Sequence, residues 1–203
     1  MARSKPALNL QGLTSSQEII LSMSKLQYLA HTSLTREPFS KLTVGAAILS
    51  FPNPGFRNKP RILLLKRNPS ETYYASVFEM PGGKVDDTDS SILTAIVREV
   101  KEETGLDIMR VFGQLPDFTY LTSKVASGTD GKEKTISKTC LQLSFAVTVA
   151  WEEFRVNAKK HSMGVWADRE MVTVLEMTEE MRALVEGALE RAGAIWAGIR
   201  EFR

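Results

Sequence analysis

The run GGKVDDTDSSILTAIVREVKEETGL, residues Gly82 to Leu106, decides how this chain folds. Ser91 to Thr104 keeps an uninterrupted helical pattern, and Gly105 stands where a helix C-terminus favours a residue free to adopt positive φ. At about 100° per residue, Ile92, Leu93, Ile96, Val97 and Val100 gather into one apolar sector, and Glu99, Glu102 and Glu103 fall on the adjoining arc. One face of the helix is therefore core, and its neighbour is a cluster of carboxylates.

Three like charges at i, i+3 and i+4 repel by roughly a few tenths of a kcal/mol per pair. They also lie in the last turns, where the helix dipole disfavours negative charge. A solvated face, with Arg98 and Lys101 exchanging surface ion pairs, would account for such a cluster taken alone. Its surroundings argue for chemistry. Gly82 and Gly83, just upstream, let backbone approach a ligand where a side chain would obstruct it. Hard divalent cations such as Mg²⁺ and Mn²⁺ prefer oxygen ligands, which a helix can present from a rigid frame. A Gly-rich turn, a helix and a carboxylate triplet together make a metal and phosphate site.

These residues resemble the Nudix box: a glycine, five residues, a glutamate, seven residues, then R-E-U-x-E-E-x-G-U with U aliphatic. Arg98 to Leu106 matches the second half throughout. The first half departs twice. Fourteen residues separate Gly83 from Arg98 where thirteen are usual, and the expected glutamate is absent, with Asp89 the nearest acid. That glutamate supports the loop and helix in the family, so the departure bears on loop geometry more than on chemistry. Phe78 to Gly83 also resembles the aromatic-x-x-P-G-G approach of the superfamily.

The resemblance implies hydrolysis of a diphosphate joining a nucleoside to another group, with Mg²⁺ or Mn²⁺ as cofactor. It makes Glu99, Glu102 and Glu103 the metal ligands, with the Gly83 carbonyl completing the coordination. One of the glutamates, or a downstream acid, serves as general base, and Arg98 orients the glutamates through its planar guanidinium. Many relatives add a glutamate from a region resembling Asn157 to His161, which here holds Lys159 and Lys160. The base then comes from Asp117, Asp130, Glu133, Glu152 or Glu153, or the helix glutamates suffice. His161 is a further candidate.

For substrate binding, Lys66, Arg67 and Lys84 are candidate phosphate contacts. Tyr73 and Tyr74, with Phe118 and Tyr120, offer rings for stacking on a base. From Leu63 to Gly83 the chain has the length and the L-L-x-x-R start of the superfamily's coenzyme A diphosphatases, but Thr72, Tyr73 and Tyr74 replace their distinctive basic and histidine residues. Coenzyme A or a prenyl diphosphate is therefore an alternative substrate. A catalytically silent Nudix-fold binding module is the alternative of a different class.

Working outward, Leu42 to Phe51 and Arg61 to Arg67 are apolar, β-prone runs joined by a loop with three prolines. Further strands are expected at Ile108 to Phe112, Phe118 to Ser123, Thr139 to Val149 and Ser162 to Ala167, with polar Lys124 to Lys138 as a long mobile hairpin loop. Ser15 and Glu18 have capping-box spacing ahead of a short amphipathic helix. Thr178 caps a final helix, in which Met181, Leu184, Val185, Leu189 and Ile195 recur at helical spacing. This alternation predicts an α/β (α+β) fold, an α/β/α sandwich about a mixed β-sheet with added N- and C-terminal helices. The expected divisions are a tail and short helix over 1–41, the Nudix domain over 42–175 and a C-terminal helix over 176–203.

The 203 residues carry 26 basic and 24 acidic side chains, a net charge of +2. No global field recruits nucleic acid or anionic membrane, so a small-molecule diphosphate is the expected partner and nucleic acid enters only as a capped end. No apolar run is long enough for a membrane span. One cysteine, Cys140, cannot build a disulfide framework and reads as a packed thiol in a reducing compartment. The expected location is cytoplasmic, with the nucleus as an alternative. Arg3 and Lys5 are too few cations to favour a mitochondrial presequence. The terminal helices can pack on the domain or against a second copy in a homodimer.

Overall fold

Every residue of strand β1 (Lys41–Ser50) after Lys41 is buried, because the strand lies at the centre of the sheet with apolar layers on both faces. The computed structural model describes residues 7–33, 35–51, 59–127 and 133–201. Successive side chains of a strand point to opposite faces, so the continuous apolar run of β1 supplies two cores. Leu42, Val44, Ala46 and Ile48 enter one, and Ala47 and Leu49 the other. The same alternation divides β2 (Arg61–Arg67): Leu63 and Leu65 face the first core, Ile62 and Leu64 the second. Each fully buried leucine contributes about 1.5–3 kcal/mol.

Helix α3 (Ile92–Thr104) covers the first face with Ile92, Ala95, Ile96 and Val100, joined by Leu21 of α1 (Ser15–Ser22) and Tyr28 of α2 (Lys25–Thr32). On the opposite face, α5 (Glu179–Glu201) buries Met181, Leu184, Val185, Ala188 and Leu189. The expected mixed sheet between helices is thus the observed architecture. Among the described residues no helix is long and apolar enough to cross a membrane.

The sheet runs β3 (Phe78–Glu79), β2, β1, β7 (Glu133–Val149), β5 (Ile108–Gln114), with β4 (Gly82–Lys84) paired to β1, β6 (Phe118–Ser127) to β7 and β8 (His161–Ala167) to β2. β1 and β7 are parallel, and the other pairings are antiparallel. One edge of β1 is shared: its far end pairs with β2 at Leu49 and Ser50, and its beginning with β4 at Thr43, Val44 and Gly45. That split brings the Gly82-Gly83 strand into the sheet directly beneath α3.

Several local expectations change. The first helix is capped one residue earlier than the Ser15 and Glu18 spacing suggests: Thr14 accepts from the Gln17 backbone, and the Gln17 side chain accepts from the Thr14 N–H. Ser24 and Gln27 repeat that box and start α2, and Asp168 caps α4 (Arg169–Val174), a further short helix. Much of the polar stretch from Lys124 to Lys138 is strand, with β6 and β7 paired from Phe118↔Gln142 to Ser127↔Glu133. Backbone hydrogen bonds suffice to extend an antiparallel pair whose residues 135–138 are exposed, so low hydrophobicity hid it. The remainder of that loop, 128–132, lies outside the described residues, as do 52–58 of the proline-rich loop and 1–6 of the tail. Ile195 is exposed and does not extend the apolar face of α5.

Candidate functional site

α3 begins at the Ser91 cap, whose hydroxyl accepts from the Thr94 N–H, and ends at Gly105 with φ 71°. Its carboxylate face meets β4. A Cβ on Gly83 would stand 2.5–2.6 Å from the Glu99 carboxylate, so only glycine lets this backbone lie against Glu99. Glu103, one turn on, accepts from the Gly82 N–H at 3.0 Å. Residues four apart share a helix face, so Glu99 and Glu103 both point into the protein, at 4% and 2% exposure. The Glu102 side chain is 48% exposed and lies 3.6 Å from Arg98.

Arg98 ties the loop to the helix. Its Nε and Nη2 donate to the two Asp89 oxygens at 3.0 and 2.8 Å, Nη2 also to the Lys84 carbonyl at 2.9 Å, and Nη1 to Glu99 Oε1 at 2.7 Å. Asp89 accepts a further bond from the Asp86 N–H at 2.8 Å. These Arg98 hydrogen bonds hold the buried Asp89 carboxyl below the usual carboxylate range despite opposing desolvation, and they raise the Arg98 pKa in turn. Asp89 thereby braces loop and helix, the part that the resemblance implies for the missing glutamate.

A cation sits over the paired glutamates. Lys160 Nζ lies 3.1 Å from Glu103 Oε1 and 3.4 Å from Glu99 Oε2. The turn that carries it is fastened to the end of α3, with the Asn157 N–H donating to the Glu103 carbonyl and the Lys160 and His161 N–H groups to the Asn157 carbonyl, each at 3.0 Å. Burial drives the Glu103 pKa up, an effect only partly offset by His161, Lys160 and the Gly82 N–H. Burial pulls the Lys160 pKa down, but Glu103 and Glu99 outweigh it and leave the ammonium more firmly protonated.

Beside the glycine strand opens a cavity of about 630 Å³ whose wall includes Gly83, Lys84, Glu79, Tyr73, Tyr74 and Tyr120. The volume suits a nucleotide-sized ligand. Tyr74 and Tyr120 pack edge to face at 6.2 Å, and the Tyr74 hydroxyl donates to the Leu121 carbonyl at 2.9 Å. Tyr74 and Ser76 occupy the left-handed region at φ 52° and 65°, so this wall segment is held in an uncommon backbone shape. Burial pushes the Tyr120 phenol up to about 12, keeping it neutral. Glu79 is held from two sides: Arg67 Nη1 donates to its Oε1 at 2.8 Å, and His161 Nε2 lies 3.0 Å from the same oxygen. His161 is 1% exposed, and its Nδ1 has no hydrogen-bond partner.

Of the residues expected to build the site, Gly83, Arg98, Glu99 and Glu103 come together, and Glu102 stands at their exposed margin. Lys84, Arg67, Tyr73 and Tyr74 line the cavity. Arg67 is already committed to Glu79, to Glu71 at 2.9 Å and to the Tyr73 carbonyl at 2.9 Å. Lys66 does not line the cavity, and its ammonium lies 5.6 Å over the Phe78 ring. Cys140 is buried in β7, as a packed thiol should be. Among the proposed bases, Asp117 pairs with Arg36 and Glu152 with Arg61. Asp130 lies outside the described residues.

Sequence reasoning missed Glu79 and the contact of Lys160 with the glutamates. Glu79 stands within the Phe78 to Gly83 motif, which marks its proximity to the site. Nothing local marks Lys160, because its partners are some sixty positions away in sequence.

Among the described residues no three His, Cys, Asp or Glu side chains are already gathered as a metal-holding group. The donor chemistry nevertheless fits a hard divalent cation. Glu99 and Glu103 turn oxygens toward one point, now marked by an ammonium, and glycine brings backbone against Glu99. By the resemblance noted above, Glu102 and the Gly83 carbonyl would join Glu99 and Glu103 in holding such an ion.

Comparison with known proteins places this geometry among relatives. The model of the NUDIX domain family matches residues 42–186. The uncharacterized Nudix hydrolase NudL of Cronobacter sakazakii is 38% identical over 68 residues, 32% of this chain and 35% of that protein. NudL of Shigella flexneri serotype 5b is 33% identical over 104 residues, 49% of this chain and 50% of that protein. The chain thus matches half or less of the length of these relatives. The NUDIX domain of Shewanella oneidensis NrtR, solved with ADP ribose, superposes with a TM-score of 0.55 at 19% identity, covering 83% of this chain and 99% of that one, which is a likeness of fold.

Proposed function

The chain belongs to the Nudix family, and from that premise we propose that it hydrolyses the diphosphate linkage of a nucleoside diphosphate joined to another moiety, with Mg²⁺ or Mn²⁺ as cofactor. The observation that carries the reading is that Gly83, which lines a nucleotide-sized cavity, lies against the buried Glu99, one helical turn from the buried Glu103. Glu99, Glu102, Glu103 and the Gly83 carbonyl hold the ion. When bound, it neutralises diphosphate charge and lowers the pKa of a coordinated water.

The chain's own residues do the rest. Arg98, locked by Asp89, fixes the rotamer of Glu99. Lys84 lines the cavity, its ammonium 3.3 Å from Asp86, and is the candidate contact for phosphate oxygens, while Arg67 sets the position of Glu79. Tyr73 and Tyr74 supply the wall against which a base or another flat group rests. Glu79, buttressed by Arg67 and His161, is a carboxylate at the same wall and joins the candidates for general base.

The test is release of phosphate or nucleoside monophosphate from a panel of nucleotide sugars, dinucleoside polyphosphates, capped RNA, coenzyme A and prenyl diphosphates, with Mg²⁺, Mn²⁺ or chelator. Metal-dependent turnover of one class, lost in Glu102→Gln and Glu99→Gln, is the expected result. Silence across the panel, with unaltered metal binding in Glu102→Gln, overturns it. The contact of Lys160 with the two buried glutamates favours a second reading, a nucleotide-binding module without turnover, which tight ligand binding and no product would identify.

A further inference from the structure

We infer that the Lys160 ammonium is a tethered cation that neutralises the Glu99 and Glu103 pair and competes with a divalent ion for it, so that an ion entering this site must displace the lysine. The inference rests on the metal-dependent reading above and adds a residue that sets how readily the ion binds.

Two nearly buried carboxylates on one face of α3 need a countercharge, since uncompensated charge in a low-dielectric setting is costly. Lys160 supplies one, 3.1 Å from Glu103 Oε1 and 3.4 Å from Glu99 Oε2, while Glu103 Oε2 accepts from the Gly82 N–H. Arg98 pairs with Glu99 through the other oxygen, Oε1, whereas the ion-pair partner of Glu103 is Lys160, beside the hydrogen bond that Glu103 accepts from the Gly82 N–H.

The lysine is also built to leave. Its side chain is 44% exposed, against 5% and 3% for the glutamate side chains. Its backbone is pinned by the Asn157 turn and by the Asn68 N–H, which donates to the Lys160 carbonyl at 3.0 Å. Departure therefore needs only side-chain rotation into solvent. Two positive charges cannot share the same two oxygens without repulsion, so ion binding and lysine contact exclude one another.

The experiment uses the full chain and Mn²⁺ alone, followed by calorimetry and by thermal melts, for wild type, Lys160→Met and Lys160→Arg. Lys160→Met should bind Mn²⁺ about tenfold more tightly or better. It should also melt lower than wild type without metal and gain more from saturating Mn²⁺. Lys160→Arg should bind no more tightly than wild type. In the wild-type chain, which needs no variant to fold, reductive methylation read by mass spectrometry should label Lys160 faster when Mn²⁺ is added, while Lys159 is unchanged. Equal Mn²⁺ affinity in wild type and Lys160→Met, with Lys160 labelling indifferent to the ion, overturns this inference and leaves the metal reading intact. No Mn²⁺ binding by either protein overturns both.

Discussion

Arg98 holds Asp89 in a two-pronged grip, Nε to Oδ1 at 3.0 Å and Nη2 to Oδ2 at 2.8 Å, while Nη1 of the same guanidinium reaches Glu99 at 2.7 Å. The loop after β4 and the acidic face of α3 thus share one side chain. Lysine presents a point charge and cannot reproduce this planar fork. Asp89→Ala should cost about 1.5–3 kcal/mol, because it removes charge-assisted hydrogen bonds and leaves the guanidinium only Glu99 and the Lys84 carbonyl as close partners. Arg98→Lys should lower Mn²⁺ affinity and hydrolysis more than it lowers the melting temperature. Urea denaturation beside metal titration separates the two effects.

The same pair sets an acid limit. The folded Asp89 pKa lies below the unfolded value, about 3.9, mainly because of the Arg98 hydrogen bonds. Its stabilisation is fully present above the unfolded pKa and is lost as pH falls through the folded one. The stability gap between wild type and Asp89→Asn should therefore hold steady from pH 7 down to about pH 4 and narrow below that. Denaturant midpoints measured at pH 7, 4 and 3 check the sign.

The two adjacent glycines should fail differently when replaced by alanine. A Cβ on Gly82 collides with the backbone of β1 at Val44 and Gly45, which cannot yield without breaking the pairing. Gly82→Ala should therefore destabilise the fold by about 2–4 kcal/mol. A Cβ on Gly83 meets the Glu99 carboxylate, which can rotate away. Gly83→Ala should keep most of its melting temperature and lose Mn²⁺ affinity and turnover. Melting curves and metal titration on the pair give the contrast.

Glu79 is the acceptor for both Arg67 and the buried His161. Glu79→Ala removes the partner of each and should cost about 2 kcal/mol. Glu79→Gln keeps the shape and should fold nearly as well. If Glu79 serves as base, Glu79→Gln will lower kcat with little change in KM. A variant that loses neither stability nor kcat would remove Glu79 from the site.

Tyr74 occupies the cavity wall with φ 52°. Tyr74→Gly relieves the backbone cost of roughly 1 kcal/mol while deleting the ring. It should raise KM for a substrate that rests on this wall and leave kcat within a few-fold, as steady-state kinetics will show. A fall in kcat at unchanged KM would place the substrate elsewhere.

Much of this was written in local sequence. The periodicity of Ile92 to Val100 and the Gly105 stop each act within a few residues, and both appear in α3 as the pattern predicts. The apolar, β-prone run Leu42 to Phe51 likewise marked the strand β1. Polar Lys124 to Lys138 misled because the β6 and β7 pairing there is made by backbone groups, which hydrophobicity does not register.

The sequence by itself determined the carboxylate helix and the alternation that builds a mixed sheet between helices, since each arises from short-range spacing and side-chain chemistry, whereas the expected glycine turn at Gly82 and Gly83 is a strand paired to β1. Only the tertiary structure decided which glutamates are buried together, that Asp89 performs the bracing of an absent glutamate, and that Lys160 lies over Glu99 and Glu103. Those outcomes depend on the turn at Asn157 docking on the end of α3 and on β4 entering the split edge of β1. Both are contacts between segments far apart in the chain, where residue type limits what can pair and geometry alone decides what does.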